Sequence, residues 1–150
     1  MAVLRDFPYA QFNFVVDLGT GETDGPQAGF QDCSAIETSV DVIEYRNGND
    51  RENNVRKFAG LTRAHNVTLR RGIIGSLDLN EWLEQVRNGE AGAVRNVTIR
   101  LLSEDRAAIA QAWRLQRARI VKHVSGPFDA RSSDVAIEEL TLAYERLEIE

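Results

Sequence analysis

Apolar and polar residues alternate along most of this chain in short runs, and clusters of Gly, Asn and Asp break the alternation repeatedly. Phe12, Phe14, Val16 and Leu18 interleave with Asn13, Val15 and Asp17, the period-two pattern of a strand with one covered face. Ile36, Thr38, Val40 and Val42 repeat it, and Ile43 and Tyr45 carry the apolar set onward with a one-residue shift, as at a bulge. This second strand is expected to end at Asn47-Gly48-Asn49-Asp50. Asn66-Val67-Thr68-Leu69-Arg70 and Asn96-Val97-Thr98-Ile99-Arg100 echo each other, each with two aliphatics on one face and Thr on the other. Towards the C-terminus Val135, Ile137, Leu140, Leu142, Tyr144, Leu147 and Ile149 alternate with interruptions, which predicts a strand with an irregularity. Many short alternating strands predict a mainly β fold, an antiparallel barrel or sandwich.

One flanking helix is predicted, over about 78–88. Asp78 and Glu81 have the spacing of a capping box, Trp82, Leu83 and Val86 share a face, and Gly89 stops the helix. The run 107–124 reads two ways: its Ala, Leu, Gln and Arg content favours helix, whereas Trp113, Leu115 and Ile120 also serve strands. Gly19 to Pro26 is turn chemistry without the spacing of a phosphate loop, and its acids would repel phosphate. It is expected to be a surface loop. Residues 47–54 are almost entirely polar, as in either a disordered loop or an interaction loop.

At 150 residues, 43% hydrophobic and 27% charged, the chain suits one domain over 1–150 that buries roughly 70% of its unfolded surface. Apolar stretches such as Phe14-Val15-Val16 are far shorter than a membrane span requires. Met1 to Asp6 has no basic segment followed by an apolar one, so synthesis without a secretory leader and initial residence in the cytoplasm are expected. Cys33 is the single cysteine and is expected to be a small buried apolar side chain. His65 and His123 lack metal-ligand spacing.

The net charge of −5 divides unevenly. Residues 1–50 hold nine acids and two bases, 51–130 hold eight acids and fourteen bases, and 131–150 hold six acids and two bases. The acidic total opposes nonspecific phosphate binding. Acidic ends around a basic middle suit self-complementary association between copies, and sixteen of the eighteen bases are Arg, which forks onto carboxylates at interfaces.

Catalytic patterns are missing. Neither His lies in a nucleophile or base motif, and Ile73-Ile74-Gly75-Ser76 only approaches a nucleophile elbow. Glu138 and Glu139 alternate across a strand and do not converge on one bond. Both are expected to be solvated. No enzyme activity, cofactor or metal is expected.

Several collinear motifs carry a resemblance over nearly the whole chain: Pro8-Tyr9, Gly29-Phe30-Gln31-Asp32-Cys33-Ser34, Ile43-Glu44-Tyr45-Arg46-Asn47-Gly48-Asn49, and above all Phe58-Ala59-Gly60-Leu61-Thr62 through Asn66-Val67-Thr68-Leu69-Arg70-Arg71-Gly72 to Leu79-Asn80-Glu81-Trp82-Leu83. Ala112-Trp113-Arg114-Leu115, Val121-Lys122, Ser125-Gly126-Pro127 and Val135 to Leu140 follow in order. The chain resembles the tail tube proteins of contractile phages and of phage-tail-like contractile injection systems. It departs from them at Arg119-Ile120, where the family carries an aromatic-proline pair, and at Tyr144-Glu145-Arg146-Leu147, which replaces a His-Glu-Gly-like ending.

The resemblance implies a structural inner tube subunit. Six copies would close a ring, and rings would stack into a hollow tube inside a contractile sheath, meeting baseplate and tube-terminating proteins at its ends. Cargo effector or DNA would pass through the lumen, which a hexamer charge of six times −5 would keep unattractive to anions. The resemblance also implies that Ala112 to Lys122 is a strand. It gives the polar loop a purpose in ring stacking, with Arg46, Asn47, Asn49, Asp50, Arg51, Arg56 and Lys57 as candidate contacts. Rival readings are a baseplate ring that initiates the tube, and a monomeric β-sandwich binding module using the Gly19 to Gly29 loop.

Overall fold

A computed structural model describes residues 2–150. Nine strands and one α-helix follow in the order β1 (Phe14–Asp17), β2 (Asp32–Cys33), β3 (Thr38–Tyr45), β4 (Arg56–Ala64), β5 (Val67–Gly72), α1 (Asp78–Arg87), β6 (Arg95–Leu102), β7 (Ile109–Ser125), β8 (Ile137–Ala143) and β9 (Arg146–Ile149) among the described residues. All pairings are antiparallel. The mainly β fold with one flanking helix is as the sequence predicts.

The main sheet runs β1-β6-β7-β8-β5-β2, with β9 also on β7. Its organiser is β7. One edge of β7 pairs with β6, as in Ile99 opposite Trp113. The other edge pairs first with β9, Leu115 opposite Leu147, and then with β8, Ile120 opposite Leu142. The switch falls at Arg117, whose φ of 55° is the irregular backbone of a bulge. The Arg117 N–H donates to Asn96 Oδ1 at 3.2 Å and its guanidinium meets Glu145 at 2.9 Å. Glu145 in turn donates its N–H to the Gln116 carbonyl at 3.0 Å. The expected single irregular C-terminal strand is therefore two strands, divided at Tyr144-Glu145. The run 107–124 is strand from Ile109 onward, because pairing on both edges overrides helix propensity.

The core follows the alternation closely. Val67 and Leu69, Val97 and Ile99, Leu115, Ala118 and Ile120, and Leu140 and Leu142 are all buried in one cluster. Helix α1 adds Leu79 and Trp82. The Trp82 indole N–H donates to the Ala93 carbonyl at 2.6 Å, and the Arg95 guanidinium lies 4.5 Å from its ring centre, so this side chain is a packing anchor.

Several expectations are corrected. Phe12 lies outside β1 and is exposed. The bulge in β3 lies between Val40 and Val42 rather than after Val42. Cys33 is only partly buried, because two-residue β2 is an edge. The helix has the expected place but no capping box: Leu77 occupies the N-cap without a side-chain bond. The Asp78 carboxylate is committed elsewhere.

That commitment is to Arg71, which is fully buried. Its Nη2 reaches Asp78 Oδ1 at 2.5 Å, its Nη1 reaches Asp78 Oδ2 at 3.3 Å and the Gln27 carbonyl at 2.6 Å, and its Nε reaches Glu138 Oε1 at 2.5 Å. His123 Nε2 lies 3.1 Å from the other Glu138 oxygen. Glu138 is thus buried and paired, contrary to the expectation that it is solvated, whereas Glu139 sits on the outer face with Arg70 at 3.0 Å. Burial acts to raise the Asp78 carboxyl, but the hydrogen bonds from Arg71 and Ser76 outweigh it and hold it below its ordinary value. One guanidinium thereby ties β5, β8, the start of α1 and the loop before β2 together.

Residues before β1 form an arm along the β6–β7 turn. Arg5 forks onto Glu104 at 2.6 and 2.8 Å and lies 3.6 Å from the Tyr9 ring centre. The Val3 N–H donates to the Ala110 carbonyl at 2.9 Å. The hydrogen bonds from Arg5 and from the Ala10 N–H take the Glu104 carboxyl down to about 2.

Candidate assembly interface

Strands β3 and β4 form a separate two-stranded sheet, yet they continue a longer ribbon. At one end β2 pairs with β5, Asp32 opposite Arg70. The ribbon is carried on by Ser34 N–H to the Thr68 carbonyl at 2.8 Å and His65 N–H to the Glu37 carbonyl at 3.0 Å. It resumes at Thr38 opposite Ala64 and ends at Tyr45 opposite Arg56. Sequence reasoning missed β4 as a strand, since Arg56 to Ala64 has no clean alternation and includes Gly60. A Cβ at Gly60 would stand 3.1 Å from the Asp41 carbonyl oxygen, so glycine fits the close approach at the bulge.

The hairpin leaves its apolar side chains uncovered. Val40, Val42, Ile43, Tyr45 and Phe58 are about half exposed, and Leu61 is 75% exposed. A lone two-stranded hairpin is marginal in water, and an apolar surface of this kind marks an interaction site. The signal was present in the sequence: apolar residues on both sides of the bulge, Val40 before it and Val42, Ile43 and Tyr45 after it, are more than one covered face can use.

The tip is ordered by its own polar groups. Tyr45 donates its hydroxyl hydrogen to Asn47 Oδ1 at 2.6 Å, Asn47 N–H donates to Asp50 Oδ2 at 3.1 Å, and Asp50 N–H donates back to the Asn47 carbonyl at 3.1 Å. Arg46 donates to the Asp50 and Glu52 carbonyls, each at 3.2 Å, and Arg56 meets Asp50 Oδ1 at 3.2 Å. Of the seven candidate contacts, Arg46, Asn47, Asp50 and Arg56 therefore build the loop. Asn49, Arg51 and Lys57 make no side-chain hydrogen bond or ion pair among the described residues.

Open edges complete the surface. β1 pairs only with β6, β2 only with β5, and β3 and β4 only with each other among the described residues. Unpaired edges are templates for another chain. No described helix is long and apolar enough to cross a membrane.

A family profile described as T4-like virus tail tube protein gp19 matches residues 10–148. The chain belongs to this family. Among solved structures it is similar to a chain of the extracellular contractile injection system PVC sheath–tube complex in its extended state, with 28% identity, a TM-score of 0.83, and coverage of 97% of this chain and 93% of that one. A chain of the anti-feeding prophage tube terminating cap shares 26% identity at a TM-score of 0.84, covering 100% and 95%. Hcp1 from Flavobacterium johnsoniae shares the fold at 16% identity and a TM-score of 0.53, covering 91% and 93%. No curated protein sequence matches significantly. Family membership makes the hairpin, the tip and the open edges surfaces of a tail tube protein.

Proposed function

We propose that the chain is the inner tube subunit of a contractile injection system or phage tail, a structural protein without catalytic activity. Six copies close a ring through their open strand edges, and rings stack head to tail into a hollow tube. A contractile sheath surrounds the tube and propels it, baseplate and terminating proteins cap its ends, and effector or DNA passes through the lumen. The observation that carries this reading is the β3–β4 hairpin, whose apolar residues are half exposed in one copy and offer another chain a surface to cover. Likeness over nearly the full chain to a component of a sheath–tube complex supports it.

The test is electron microscopy of the purified protein, alone and co-expressed with sheath and baseplate partners, together with a variant carrying Arg56→Glu and Lys57→Glu. Hollow tubes from the unaltered protein and short or absent tubes from the variant are expected, since the reversal removes the Arg56–Asp50 pair that orders the tip and places like charges against the next ring. Full-length tubes from the variant would remove the tip from the stacking interface. A second reading, a terminal ring, draws on the likeness to the tube terminating cap. Stoichiometry separates the two: hundreds of copies per particle for a tube, a few for an end ring.

A further inference from the structure

The ribbon has two ends, and they are complementary. At the end opposite the tip, the loop between β7 and β8 overhangs the β2 edge and encloses an open groove of about 1350 Å³. Asp32, Asp129, Asp134 and Glu139 line it against one base, Arg70. Arg70 holds Glu139 at 3.0 Å, and Arg131 holds Asp129 at 3.3 Å. Asp32 and Asp134 have no cationic partner among the described residues. Phe128 and Val135, 71% and 73% exposed, give the same groove an uncovered apolar rim.

The tip mirrors this composition. Residues 46–57 hold four bases, Arg46, Arg51, Arg56 and Lys57, against Asp50 and Glu52. Asp50 is taken by Arg56, whereas Arg51 and Lys57 have no anionic partner among the described residues. Exposed Val55 stands beside them. A donor with two free cations and an apolar side chain thus lies at one end of the ribbon, and an acceptor with two free carboxylates and an apolar rim at the other.

We infer that the groove between β2 and the β7–β8 loop receives the hairpin tip of a second copy of this chain. The inference rests on the stacked-ring reading and names the surface on which the tip lands. Donor and acceptor at opposite ends of one covalent ribbon form a heterologous contact, which repeats without closing and so generates a filament. The ionic pairs set direction and register, and burial of Val55 with Phe128 and Val135 contributes the salt-independent part.

Charge exchange tests it. A tip variant, Arg51→Glu with Lys57→Glu, and a groove variant, Asp32→Lys with Asp134→Lys, are each expected to lower the sedimentable tube fraction about tenfold or more near physiological salt, and the combined variant to return it to within about twofold. Loss in the tip variant without rescue in the combination overturns the groove as acceptor and leaves stacking through the tip intact. Unchanged tubes in the tip variant overturn the tip's part in stacking, and the groove proposal with it. An independent measurement covers charge variants that fail to fold. With Cys33→Ser as background, Asn49→Cys paired with Ser133→Cys is expected to give a ladder of disulfide-linked multimers on oxidation. Tubes that form but yield only monomer on the gel sink the proposal.

Discussion

Arg71 and Glu138 meet at 2.5 Å in a place where the arginine has no solvent exposure, and the same guanidinium also holds Asp78 at the head of α1. Strand β5, the start of α1 seven residues on, and distant β8 share one buried cation. Removing it leaves two carboxylates without their partner, a situation that costs about 3–5 kcal/mol when a buried pair is broken. Arg71→Met is therefore expected to lower the urea unfolding free energy by that order. A loss below about 1 kcal/mol would show that the cluster is replaceable.

The arm before β1 is expected to hold at mildly acid pH. The Glu104 carboxyl falls from an ordinary 4.5 to about 2 in the fold. A depressed folded value means that the clamp's contribution is complete above about 4.5 and is lost as pH falls through about 2. Hydrogen exchange at the Val3 amide should stay protected at pH 4 and open near pH 2. In Glu104→Gln the amide should be open at both, and equal protection in that variant would clear Glu104 of any role.

Cys33 should be a poor nucleophile. Burial, aided by Asp32, pushes its thiol up from 9.0 to about 11, so its thiolate fraction at pH 8 is about a hundredfold below that of the unfolded chain. Maleimide labelling of native protein should be slower by at least this factor than labelling in urea. Comparable rates would place the thiol in water.

Leu61 separates folding from assembly. At 75% exposure it contributes little to the isolated subunit, and Leu61→Ser is expected to change its stability by no more than about 0.5 kcal/mol. Ring or tube formation, followed by sedimentation, should nevertheless fall sharply. A variant that assembles normally would free this side chain from the interface.

The parts of the fold that bury one face were legible in the sequence. Val67 and Leu69, Val97 and Ile99, and Leu140 and Leu142 announce their strands because a core on one side and water on the other impose the period of two. β4 was illegible for the opposite reason: in one copy neither of its faces is covered, so nothing enforces alternation from Arg56 to Ala64. The break at Glu145 and the kink at Arg117 were hidden because each explains the other, and only the pairing of β7 with both β8 and β9 brings them together. Glu138 and Glu139 look alike as letters. Their fates differ because strand alternation turns one toward Arg71 and the other toward Arg70. For the proposed assembly surface, the tip was visible as a polar run, whereas the groove depends on the β7–β8 loop and β2 lining one cleft, a proximity between residues about a hundred positions apart.

Because β7 bonds to β6 along one edge and to β9 and β8 in succession along the other, the main sheet has no seam at β7 along which its two halves could slide. Shear between them would break hydrogen bonds on both sides of a single continuous backbone. The β7 sheet of each copy is then a stiff block, and in the proposed tube an axial load would be taken up first at the hairpins and joints between copies.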